Sequence, residues 1–293
     1  MSSVSLSSFK TFFLSGKGGV GKSTLSAALA LALSRRGYKT LLVSLDPAHS
    51  LSILLKENLG SSPKEVLKNL YALEVDLEKE MEDYLKRVEK EAERIVSPAL
   101  LERVKTQIEL AYSSPGALEL AAVDSIYKIV KGSFKEFEKI VFDTAPSGYT
   151  VRLMASPDKL LNWVDSLIKM REEALRYREM AGEEVGGDRV VEILKRRREE
   201  YSFLGELFKS PKTLFAVVVN PGELPLKIGQ RTVKELEEAG VQVRLILANK
   251  FKEKKGELFK RPTLYFPPLD GEPIGLKALE PLAALFEASL CKG

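Results

Sequence analysis

Nine residues, GKGGVGKST at positions 16–24, join a short apolar run, KTFFL at 10–14, to the helix-forming stretch KSTLSAALALALSRRG at 22–37. The spacing G-x-x-x-x-G-K-S, carried by Gly16, Gly21, Lys22 and Ser23, is that of a loop whose backbone N–H groups and following helix N-terminus bind phosphate oxygens. The expected cradle is Gly16, Lys17, Gly18, Gly19, Val20, Gly21, Lys22, Ser23 and Thr24. Lys22 would place a point charge at the β and γ phosphates, and the Ser23 hydroxyl would ligate Mg²⁺. Lys17 is a second lysine that this pattern does not require.

Beyond the loop, buried-strand patterns alternate with helical ones. TLLVSLD at 40–46 and FEKIVFDTAPSG at 137–148 each end a strand near an aspartate, Asp46 and Asp143. Either carboxylate could orient an attacking water, the other holding a Mg²⁺-bound water. LYALEVD at 70–76, TLFAVVVN at 213–220 and VQVRLILAN at 241–249 are further strands, LKIGQRTVKELEEAG is a helix, and a last helix runs over about 276–290. Two long charged helical stretches follow, about 77–131, interrupted at YSSPG, and 151–209, split by the Gly-rich acidic AGEEVGGD. The expected fold is α/β: a mostly parallel sheet, helices on both faces and an inserted α-helical subdomain, all in one domain of 293 residues.

Composition narrows the classes. One cysteine, Cys291, excludes a disulfide framework or a cysteine metal site within one chain and fits a reducing, cytoplasmic setting. No run approaches the ~18 apolar residues of a spanning helix, and the start lacks a basic region followed by a long apolar one. The net charge of +4 comes from 45 basic residues interspersed with 41 acidic ones, the pattern of a solvated surface, so no nucleic-acid partner is expected.

KGGVGKST, DPAHS and DTAPSGYTVRLM together, with the ending PPLDGEPIGLKALEPL, resemble the ArsA/Get family, which contains arsenite-pump ATPases and the guided-entry factors that deliver tail-anchored membrane proteins. The resemblance implies a P-loop NTPase core, ATP and Mg²⁺ as cofactors and a homodimer in which Lys17 reaches the partner's nucleotide, as an arginine finger does. By the same resemblance Asp46 is the water-activating switch aspartate, Asp143 the second switch aspartate, and Pro47 and Pro146 stiffen the two switches. His49, the only histidine, is given no chemistry.

The family places an asparagine against adenine, here Asn249, and a backbone loop at Pro267, Pro268 and Leu269 over the ring; Glu223 matches a nucleotide-touching acid. A GTPase would carry N-K-x-D, and NKFK has Lys252 at the aspartate position. KFKEKKGELFKRP stands where the dimeric targeting factors carry a zinc-binding Cys-x-x-Cys, so no zinc is expected, and one cysteine cannot supply a metalloid site.

The implied function is binding or targeting of hydrophobic transmembrane helices, with a membrane receptor as a further partner. The alternatives are an arsenite-pump-driving subunit or a regulator of positioning like ParA or MinD. An iron-sulfur reductase would need two cysteines per subunit. LELAAVDSIYKIV at 118–130 and LLNWVDSLIKM at 160–170 are apolar enough to line a client groove or to pack as core.

Overall fold

The computed structural model describes residues 5–46, 50–92, 106, 110, 117–144, 157–182 and 188–290. Among these residues eight strands form one sheet: β1 Thr11–Ser15, β2 Thr40–Ser44, β3 Lys64–Leu67, β4 Leu70–Glu74, β5 Lys139–Asp143, β6 Thr213–Val219, β7 Val243–Asn249 and β8 Thr263–Phe266. The helices are α1 Lys22–Arg35, α2 Ser50–Leu55, α3 Leu77–Ala92, α4 Ala117–Ser133, α5 Pro157–Met180, α6 Arg189–Lys209, α7 Glu223–Glu238 and α8 Leu276–Leu290. The strand order is β3-β4-β2-β5-β1-β6-β7-β8, parallel throughout except for β3, which runs antiparallel to β4 at one edge. The α/β architecture expected from the sequence is the one observed.

Strand residues alternate between two apolar layers, as a period of two requires. Phe12, Leu14, Leu42, Val141, Ala216 and Leu247 pack under α1, α2 and α8. Phe13, Val43, Phe142, Phe215, Val217 and Ile246 pack under α4, α6 and α7. Phe13 of the central strand lies in register with Phe142 and Phe215, and its ring stacks on both at 4.8 Å. Helix α1 is buried nearly all round, which is why its sequence shows no polar face: the sheet covers one side and α8 the other. Helix α8 docks through Leu279, Leu282, Ala283 and Phe286, and Arg35 of α1 bonds Glu280 at 2.6 Å.

The helices of the two charged stretches pack in pairs, α3 with α4 and α5 with α6. Asp124 of α4 joins them: it accepts from Lys128 at 2.9 Å, from Arg197 of α6 at 3.0 Å and from Arg87 of α3 at 3.4 Å. Burial penalises the Asp124 carboxylate, yet Lys128 and Arg197 hold it below the usual carboxylate range. Among the described residues no helix is long and apolar enough to cross a membrane.

Three local differences from the sequence reading have physical causes. β2 ends at Ser44, so Asp46 stands in the loop beyond the strand. Helix α7 begins at Glu223, with Pro225 in its first turn, where a missing N–H costs nothing. Two strands were not foreseen: β3 is exposed along most of its length, and β8 is a half-buried run of four residues closely bracketed by prolines. Pro47, His49, Pro146 and the rest of DTAPSGYTVRLM after Thr144, YSSPG and Cys291 lie outside the described residues.

Candidate functional site

Every parallel strand points its carboxyl end at the same edge, and a cleft of about 710 Å³ opens there against the loop between β1 and α1. This is the crevice where an open parallel sheet binds ligands, and the volume suits a nucleotide. Gly18, Gly19, Gly21, Lys22, Ser23 and Thr24 line one wall. The loop is tight because two glycines permit it. Gly16 has φ +153° and lies where a Cβ would sit 2.7 Å from the Val218 carbonyl oxygen. Gly21, in the left-handed region at φ +93°, leaves room for Asn249 Nδ2, which a Cβ would overlap.

Asn249 binds the loop itself. Its Nδ2 donates to the Val20 carbonyl at 2.8 Å, and its Oδ1 accepts from the Lys250 N–H at 3.0 Å. The side chain is buried yet lines the cleft, so one amide hydrogen and one lone pair are left for a ligand. Pro267, Pro268 and Leu269 form the facing wall together with Leu54 of α2. Glu223 is not brought into this cleft: it opens α7, its side chain is 82% exposed, and it accepts from Lys227 at 2.7 Å.

The charged groups converge at the inner end. Lys22 is only 5% exposed, and its ammonium donates to the Lys17 carbonyl at 3.5 Å. Burial lowers its pKa, while Asp143 and then Asp46 pull it back up. Asp46 lines the cleft, and its backbone N–H donates to Ser44 Oγ at 3.3 Å. The Ser23 hydroxyl meets that of Ser50 at 3.3 Å.

Asp143 is fully buried, and among the described residues neither carboxylate oxygen has a hydrogen-bond partner. Burial pushes its pKa up to about 7, although the nearby Ser23 and Ser26 hydroxyls and Lys22 act the other way. An orphaned buried carboxylate beside a serine hydroxyl is the donor set a hydrated divalent cation requires, so these residues fit Mg²⁺.

That elevation has a consequence for the ligand-free protein. Near pH 3 and below the carboxyl carries its proton in folded and unfolded chains alike. Between the ordinary value of 3.8 and about 7 only the unfolded chain ionises, so stability falls as pH rises through that window. Above it the loss levels off at roughly 4 kcal/mol. Asp143→Asn should therefore be more stable than the parent at pH 8, by roughly 4 kcal/mol at most, and gain almost nothing near pH 3. Calorimetry at the two pH values checks this, and an equal difference at both would refute the assignment.

Lys17 is exposed and does not line the main cleft; it borders a smaller pocket of about 180 Å³ with Asn220, Leu224 and Ile228 of the neighbouring elements. Sequence reasoning missed Ser50, Leu54 and Lys250, all of which line the cleft. Ser50 follows DPAH directly, and that adjacency was the available signal.

Residues 9–261 match the family described as anion-transporting ATPase. Over 241 residues the chain is 34% identical to arsenical pump-driving ATPase 2 of Aquifex aeolicus, covering 82% of this chain and 80% of that one. It is 29% identical to ATPase GET3B of Arabidopsis thaliana, over 82% of this chain and 64% of the relative. With ATPase GET3 of Rhodotorula glutinis it shares 30% identity over 83% of this chain and 70% of the relative.

Proposed function

The chain belongs to the anion-transporting ATPase family and hydrolyses ATP, and on that premise we propose that it works as a Mg²⁺-dependent homodimeric switch binding the hydrophobic transmembrane segments of tail-anchored proteins. In this reading it acts in the cytoplasm and passes its client to a membrane receptor. The loop N–H groups and Lys22 hold the triphosphate, Asp46 orients the water that attacks the γ phosphorus, and Lys17 from a second copy neutralises the charge that develops. Ser23 and Asp143 are the residues that would hold Mg²⁺, which when bound would shield the phosphate oxygens.

One observation carries the client half. Helix α5 buries Val164 and Ile168 but leaves Trp163 59%, Met170 66% and Tyr177 73% exposed. Residues seven apart on a helix lie on nearly one line, so these form an uncovered apolar row. Large apolar side chains grouped on a surface mark an interaction site more often than chance exposure does. Of the two apolar stretches, 118–130 instead turns Ala122, Val123, Ile126 and Val130 into the core. Helix α5 is also the described element that follows Asp143 in the chain, which supports coupling of the row to the nucleotide state. In this proposal α3 to α6 make up the helical subdomain.

The test is co-expression of the slow Asp46→Asn variant with a protein bearing one C-terminal transmembrane helix, followed by native mass measurement. The expected product is two ATPase chains with one client, lost when Trp163 and Met170 are both made aspartate. A dimer that forms with ATP while the client aggregates would remove the targeting role. Stimulation of turnover by arsenite would instead favour the pump-driving reading that the Aquifex aeolicus relative's name supports.

A further inference from the structure

Glu74 is a buried carboxylate at the carboxyl edge of the sheet to which the reading above gives no task. Register aligns it in one row with Ser44 and Asp143 across β4, β2 and β5. The residue is 5% exposed and turns toward α2 rather than lining the cleft. Its Oε1 accepts from the Leu51 N–H at 2.9 Å, and its Oε2 accepts from the Ser52 hydroxyl at 2.5 Å. Both oxygens thus hold successive residues of the same short helix, one through backbone and one through side chain.

The helix so held lines the cleft through two residues one turn apart, Ser50 and Leu54. At its start Ser50 meets the Ser23 hydroxyl at 3.3 Å, four positions beyond Asp46 in the chain. Near its end the Leu54 carbonyl accepts from the Gly275 N–H at 2.7 Å, and Leu54 lines the cleft. The buried face of α2 is Leu51, Leu54 and Leu55, which pack on the α1 layer. Leucine packing alone tolerates small shifts along the helix axis. Two directional bonds from one rigid strand end do not.

We propose that Glu74 is a positioning residue for ATP hydrolysis: it pins α2, and through α2 it sets Ser50 against Ser23 and Leu54 on the cleft wall. Glu74 does not line the cleft, so it acts through α2. Its effect is on where the attacking geometry is held, so it belongs to turnover more than to affinity. The inference rests on the cleft being the nucleotide site, and the control below separates the two.

The experiment measures kcat, affinity for a fluorescent ADP analogue and thermal midpoint for the full chain. Glu74→Ala should lower kcat by about 10² while affinity changes by less than about threefold, since displacement of catalytic groups by an ångström costs that much. Glu74→Gln keeps an acceptor for the Leu51 N–H and a group for the Ser52 hydroxyl, and should recover kcat to within about threefold of the parent. If Glu74→Ala does not fold, Ser52→Ala decides: a fall of about fivefold in kcat at unchanged affinity supports the proposal. A kcat equal to the parent's in the deciding variant, whatever happens to the melting point, overturns it, as does a loss of affinity matching the loss of turnover. Lys22→Ala is the control. If it binds the analogue normally, the site reading has failed, independently of Glu74.

Discussion

Lys17→Ala is expected to lower ATP turnover by about 10³ while leaving nucleotide affinity within about threefold, the effect of removing a charge that acts only in the transition state. The geometry supports this split. The Lys17 carbonyl receives the Lys22 ammonium inside the loop, whereas the Lys17 side chain is exposed and borders the pocket toward α7, outside its own cleft. A side chain so placed serves a nucleotide across an interface more readily than its own. Mixing Lys17→Ala with Asp46→Asn chains tests the point. Each is nearly inactive alone, but a mixed dimer that shares lysines contains one intact composite site. Statistical pairing should then restore about a quarter of wild-type turnover. No restoration would place the lysine in cis or remove it from the chemistry.

Asp46→Asn should also cost about 10³ in kcat, the size of effect that follows loss of a group positioning and accepting a proton from the attacking water. ADP affinity should remain near the parent's. Asp46 lies on the cleft wall past the end of β2, while the buried Lys22 is drawn toward both Asp46 and Asp143. An amide keeps the shape and removes the charge, so a folded, ATP-binding and slow enzyme is the expected result. Wild-type turnover would transfer the role to another residue.

The central strands were readable because both their faces are buried, and such strands appear as continuous apolar runs. β1, β2, β5, β6 and β7 each follow that rule. The edge strands β3 and β8 do not: they are four residues each and partly exposed, so sequence periodicity has nothing to register. The exposed row of α5 was half legible. The stretch 160–170 contained Trp163 and Met170, but which side of the helix met the protein depended on α6.

The shape of the loop between β1 and α1 was legible in the sequence alone, since Gly16, Gly21, Lys22 and Ser23 set it within one short segment. So was the alternation of strand and helix, because burial on two faces and helical charge patterns are local signals. Tertiary structure decided the rest. Asp143 loses its water only because helices on both faces close over β5, and Asn249 reaches Val20 across 229 positions of chain. Glu223, which looked like a nucleotide contact in sequence, faces solvent because α7 starts beside the cleft rather than over it. Glu74 acquires its partners only when β4 takes its place beside β2 and its end meets α2. What a carboxylate does here depends on which distant segment covers it, and that is fixed by strand register and packing.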